Sequence, residues 1–222
     1  MAMTLVLILI VIIVVISLYI VYHATSLANT VFHRRKLHDY ITREAYFERF
    51  NKADIIARTG KGVTLDEYVA GCRAPSLGER IRLFKKTRAI VGNAPWRFMF
   101  FDPDMENGFP HTHGPYIMLP DIPNLLPSAN TLLHENVHVW QRFNPCEANV
   151  EIERRYPDMR ITGHVVPSDM HRANPDTNTI LYGDARPVYT KDPTRLTDIV
   201  DARDHPYELM AYDIADQSNN EK

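Results

Sequence analysis

The sequence predicts an α+β fold in which a helix with a polar stripe packs beside a small antiparallel sheet, behind an N-terminal transmembrane helix. Three observations predict it. Residues 4–22, TLVLILIVIIVVISLYIVY, contain no charge. Two apolar, aromatic-rich runs, PWRFMFF at 95–101 and PYIMLP at 115–120, are bounded by Pro, Gly, Asp and Asn, the pattern of strand, loop, strand. A stretch free of Gly and Pro between Pro127 and Pro145 repeats apolar residues at helical spacing. The expected organisation is an anchor over 1–25, a helical linker and support over 26–93, and a catalytic region over 94–218.

The uncharged N-terminal run spans about 28 Å as a helix, close to the hydrocarbon thickness of a bilayer. A core helix of that length is seldom apolar on every face, so the lipid bilayer is the expected partner of residues 4–22. The run is longer than a signal-peptide core and no Lys or Arg precedes it, which favours a retained single-pass anchor. Ser26-Leu27-Ala28 has the small-x-small form of a cleavage site, so secretion after cleavage is the alternative. Arg34, Arg35, Lys36 and Arg43 follow the run, and the positive flank tends to stay cytosolic. The absence of an N-x-S/T sequon and the presence of two cysteines alone, Cys72 and Cys146, agree with a cytosolic domain.

About 195 residues follow the anchor, enough for one domain with a sizeable core. Residues 37–59 have helical periodicity and end at Gly60-Lys61-Gly62; Thr64 opens a short helix; residues 76–93 read as another, capped by Ser76 and closed by Gly92. The basic cluster RIRLFKKTR is interleaved with Ile81, Leu83 and Phe84, which reads as the solvated face of an amphipathic helix rather than a lipid or nucleic-acid surface. The formal charge of -2 gives no reason to expect nucleic acid as a partner.

Within the Gly- and Pro-free stretch, Ser128 can cap the helix start and Pro145 forces its stop. Leu133, Val137 and Trp140 form one stripe, and His134, His138 and Gln141 a second about 100° round the axis. Two imidazoles one turn apart can share one Zn2+, and Glu135 in HENVH points to the side where water would meet the metal. A catalytic zinc takes three protein ligands, and no third histidine lies at H-E-x-x-H-x-x-G-x-x-H spacing, because Phe143, Asn144 and Pro145 follow Arg142.

The third ligand is expected downstream, in DARDHPYELMAYDIADQ at 201–217. Asp204 or His205 can cap that helix and Pro206 suits its first turn. Glu208 stands among apolar residues, where a carboxylate is costly unless it is paired or bound to a metal.

These residues resemble the gluzincin branch of zinc metallopeptidases. The H-E-x-x-H-x-x-Q form over 131–142 is similar to peptidase-like families that include proteins of large DNA viruses. The resemblance implies a zincin-like domain, His134, His138 and Glu208 as zinc ligands, Glu135 as general base, and a peptide or protein substrate. Two departures stand out: the 70-residue separation of His138 and Glu208, and Tyr212 where some gluzincins carry an acid, with Asp213 one place later. His111 and His113, before the second strand, are the alternative metal ligands; they are expected on opposite strand faces, so that at most one reaches the zinc. Residues 161–189, rich in Pro, Asn, Asp and Gly, are expected as loops and short hairpins. They offer His164, His171, Arg172, Tyr182 and Tyr189, with Tyr212 beyond, as oxyanion or substrate-binding groups. The rival function is a non-catalytic membrane protein with a structural zinc, its site closed by a fourth ligand such as His111, His113 or His164.

Overall fold

The computed structural model describes residues 2–44, 64–157, 161–164, 171–172, 180–182, 188–190, 199–200 and 206–220, with the strands between 161 and 200 described by their backbone. The fold is a mixed α+β arrangement with one long apolar N-terminal helix. That helix, α1 (Ala2–Arg43), runs unbroken from the uncharged segment into the domain. The apolar run and the first residues of the segment expected to be helical over 37–59 thus share one helix, and residues 45–59 of that segment lie outside the described residues. The cause of the continuity is that residues 23–36 change in polarity but contain no Gly or Pro to end a helix. Over Val6–Tyr22 its large apolar side chains are exposed, whereas Leu37 and Ile41 are buried.

Two short helices lead to the sheet. α2 (Leu65–Ala70) and α3 (Leu77–Thr87) each begin with a capping box, Thr64 with Glu67 and Ser76 with Glu79. α3 stops at Thr87 rather than reaching Gly92: the Ile90 amide turns back to the Thr87 carbonyl, and the β-branched Ile90 and Val91 favour leaving the helix.

The central sheet has the order β1-β3-β2, from β1 (Phe98–Phe101), β2 (His111–His113) and β3 (Tyr116–Pro120). It is mixed and not antiparallel throughout, since β1 runs parallel to β3 while β2 and β3 form the hairpin. A parallel neighbour needs the chain to return to the same end of the sheet, and β2, which runs opposite to both, supplies that return.

Strand alternation divides the core into two layers. Met99, Phe101, Tyr116 and Met118 pack with Leu37 and Ile41 of α1 and with Tyr68 and Val69 of α2. Phe100, Ile117 and Leu119 pack on the other side with Leu83 of α3 and with Leu132 and Val139 of α4 (Ala129–Phe143).

Beyond α4 come α5 (Pro145–Arg155) and, at the C-terminal end, α6 (Pro206–Asn220). Val137 of α4, Ala148 and Ile152 of α5, and Tyr207, Met210 and Ala211 of α6 form a third apolar cluster. Leu133 meets Ala215 further along the same two helices. Between α5 and α6, β4 (Ile161–His164) pairs antiparallel with β6 (Ile180–Tyr182); β7 (Val188–Thr190) pairs antiparallel with β5 (His171–Arg172) and β8 (Ile199–Val200).

Candidate metal centre

α4 forms where the sequence places it. The Ser128 hydroxyl accepts from the Thr131 amide at 3.0 Å, and Pro145 becomes the first residue of α5. The helix is buried on three sides. Leu133 and Val137 meet α6, Leu132 and Val139 meet the sheet, and the polar stripe lies between these two faces.

On that stripe the His134 and His138 Nε2 atoms are 3.0 Å apart. Glu208, in the first turn of α6, brings its Oε2 to 3.3 Å from each of them. Ligands about 2.0–2.2 Å from a tetrahedral centre stand about 3.3–3.5 Å from one another. The three atoms thus nearly describe one face of such a tetrahedron, and the group can hold a metal ion. Burial works against a charged Glu208, but the His138 and His134 rings beside it override that and hold the carboxyl well below the usual carboxylate range.

Gln141 fixes which nitrogen of His138 is available. Its Nε2 donates to the Tyr207 carbonyl at 2.9 Å, an oxygen that can only accept. Its Oε1 therefore faces His138 Nδ1, at 2.8 Å, and Nδ1 carries the proton. That leaves Nε2, on the side of Glu208 and His134, as the nitrogen that can present a lone pair to a metal ion, the arrangement in which metal-binding histidines are commonly held. One buried amide orients His138 of α4 and ties it to the residue preceding Glu208 of α6. Sequence reasoning put Gln141 on the stripe but missed this role; an amide side chain three positions after the second histidine is the signal that points to it.

Glu135 is 5% exposed and follows His134 directly. The Tyr212 ring, one turn after Glu208, lies 4.4 Å from the His134 ring between centroids and is 53% exposed. His134 Nδ1 is buried with no hydrogen-bond partner among the described residues. Asn136, also overlooked, clasps the segment before β1: its side chain accepts from the Ala94 amide at 2.9 Å and donates to the Ala94 carbonyl at 2.8 Å. A Cβ on Gly92 would come within 2.9 Å of that side chain and of Trp96, so glycine is required at this close approach.

His111 and His113 are not in the metal group, and the expectation that they face opposite ways is corrected. Residues two apart on a strand share a face. Their register opposite Met118 and Tyr116 puts that face on the α1 and α2 side of the sheet, away from α4. His111 Nε2 lies 2.5 Å from the Tyr68 hydroxyl, and His113 Nδ1 is 3.6 Å from Glu44. Glu44 also accepts from the Gly114 amide at 2.7 Å and lies 3.2 Å from Arg142 of α4. Burial pushes its carboxyl up, but His113, Arg142 and the Gly114 amide together lower it below the usual value. Arg142 in turn donates to Thr112 Oγ1 and to the Gly114 and Thr112 carbonyls. These histidines thus belong to a buried polar network joining the end of α1 to the end of α4.

The side chains of His164, His171, Arg172, Tyr182 and Tyr189, together with the whole of Asp204 and His205, lie outside the described residues. Asp213 accepts from the Tyr156 hydroxyl at 2.5 Å, linking α6 to the end of α5. Comparison with family models, with curated proteins and with solved structures gave no match to this chain.

Proposed function

We propose that this protein is a membrane-anchored, zinc-dependent metallopeptidase of gluzincin-like form, with His134, His138 and Glu208 as the ligands of one Zn2+. The observation that carries the reading is the convergence of three ligand atoms at spacings of 3.0 to 3.3 Å beside a buried Glu135. Among the described residues the group has three members, the number of protein ligands that a catalytic zinc takes. A bound zinc supplies a Lewis acid that polarises a peptide carbonyl and lowers the pKa of water to about 7. Glu135 accepts the proton of the attacking water at its carboxylate and delivers it to the departing amine nitrogen. Gln141 keeps the His138 Nδ1 proton in place throughout. Tyr212 is the described candidate for donating to the developing oxyanion.

The zincin-like architecture is supported by a metal-pair helix packed on the sheet and met by a later helix bearing the third ligand. Strand addition of a substrate to β2 finds the Thr112 carbonyl already taken by Arg142. The α1 helix is long and apolar enough to cross a membrane. Arg34, Arg35 and Lys36 after the apolar run favour a cytosolic domain.

The test is the full chain purified in detergent, assayed for bound metal and for peptide cleavage sensitive to chelators. Glu135→Gln is expected to retain zinc and to lose at least about a hundredfold in turnover, the scale of a general base. Loss of zinc equal to the loss of activity would make Glu135 a ligand and overturn its role.

A further inference from the structure

The face of α3 that turns from the sheet is apolar. Leu83 and Thr87 are buried, but Leu77, Ile81 and Phe84, at i, i+4 and i+7, are 58%, 47% and 66% exposed. Isolated apolar residues on a surface are ordinary, whereas a stripe of three on one short helix marks a contact surface. α3 is not free to roll the stripe inward. Arg73 holds Glu79 at 2.8 Å, and through its other contacts holds Asp121 at the end of β3, clamping the helix to the sheet.

Two observations name the occupant. The Leu77 amide donates to the Tyr22 hydroxyl at 3.4 Å, and Tyr22 is the last residue of the apolar run 4–22 of α1, so the stripe begins beside the end of that run, with the exposed Leu27, Val31 and Phe32 further along α1. The remaining α3 side chains include Arg80, Arg82, Lys85 and Lys86 against a single acid, Glu79, which Arg73 already engages. Basic side chains beside an apolar stripe are the composition of a helix that lies in a lipid headgroup layer.

We propose that α3 is a second membrane-contact element, lying at the surface of the bilayer that α1 crosses, with Leu77, Ile81 and Phe84 among the acyl ends and Arg80 and Lys85, which flank the stripe, against lipid phosphates. This rests on α1 being a membrane span, and the test separates the two. The full chain with Cys146→Ser is reconstituted at one copy per nanodisc containing phosphatidylserine. Cys72 stays, because it is fully buried and its thiol is pushed up to about 12 by burial. Spin labels are attached singly at Ile13→Cys, Ile81→Cys, Phe84→Cys and, as an aqueous reference on α5, Val150→Cys, and their collisions with oxygen and with a water-soluble nickel chelate are measured.

The expected result is a deep lipid signature at position 13, and at 81 and 84 an oxygen-to-nickel collision ratio several-fold above that at 150. Position 13 deep with 84 equal to 150 overturns the docking of α3 and leaves the span standing. Position 13 in water removes the span and the docking together. Shielding of 84 from both reagents means a protein surface covers the stripe, and also overturns the proposal.

Discussion

Gln141→Leu probes the centre of the candidate metal site without touching a proposed ligand. Gln141 is 1% exposed and makes two bonds, to His138 Nδ1 at 2.8 Å and to the Tyr207 carbonyl at 2.9 Å. Leucine makes neither, so it strands a buried N–H and a buried C=O, at a cost of about 1–3 kcal/mol each, partly offset by its own burial. Loss of the partner that orients a metal-binding histidine typically weakens metal affinity by about 10–100-fold, or about 1.4–2.7 kcal/mol. Gln141→Glu divides the two effects. It keeps an acceptor for His138 Nδ1 and so preserves zinc affinity, but sets a carboxylate against the Tyr207 carbonyl and lowers folding stability. Competition titration with a chromogenic chelator reads the first quantity, and urea unfolding of the detergent-solubilised chain reads the second. Zinc affinity in Gln141→Leu within twofold of the unaltered protein would refute the claim that this amide sets the His138 tautomer.

Glu208→Ala is expected to weaken zinc binding strongly while His111→Ala and His113→Ala leave it nearly intact, as measured by metal content after dialysis; the reverse order would move the third ligand to β2. Glu79 should make the fold acid-sensitive: chiefly through Arg73, with burial opposing, its carboxyl is held at about 2 against an ordinary 4.5. Its depressed pKa means that its contribution is complete above about 4.5 and fades as pH falls toward 2, so Glu79→Gln should flatten the unfolding midpoint across that window. Protease protection on sealed vesicles is expected to expose a C-terminal tag on the cytosolic side. A mature chain starting at Asn29 would instead establish cleavage after Ala28.

The metal site was legible where its cause is local. His134, Glu135 and His138 announce themselves because one turn of helix fixes their spacing, and Ser128 and Pro145 fix the helix. Glu208 was legible as an acid in an apolar segment, a placement that demands a partner. What escaped depends on packing between distant segments. Gln141 acquires its role only once α6 carries the Tyr207 carbonyl to it. The face shared by His111 and His113 follows from simple alternation, but its direction follows from the β2 and β3 register. α5 was passed over, since PCEANVEIERR buries little beyond Ala148 and Ile152 and its periodicity is faint. The exposed stripe of α3 was hidden for a related cause: Leu77, Ile81, Leu83 and Phe84 look alike in sequence, and only the clamp at Arg73 decides that Leu83 turns inward.

The unbroken course of α1 determines how the protein meets its surroundings. From Tyr22 to Arg43 the helix extends about 32 Å past the apolar run, and Leu37 and Ile41 on that extension are themselves part of the core. Where α1 crosses a bilayer as proposed, the domain is mounted on a mast and not hung from a tether, so its height and tilt relative to the lipid vary little. A peptidase of the proposed kind, so mounted, would search a layer rather than a volume. A chain carrying a susceptible bond at that height would be met at high local concentration, and one carrying it well above or below would be passed by, whatever its sequence. Geometry of this kind selects by distance before any pocket selects by chemistry.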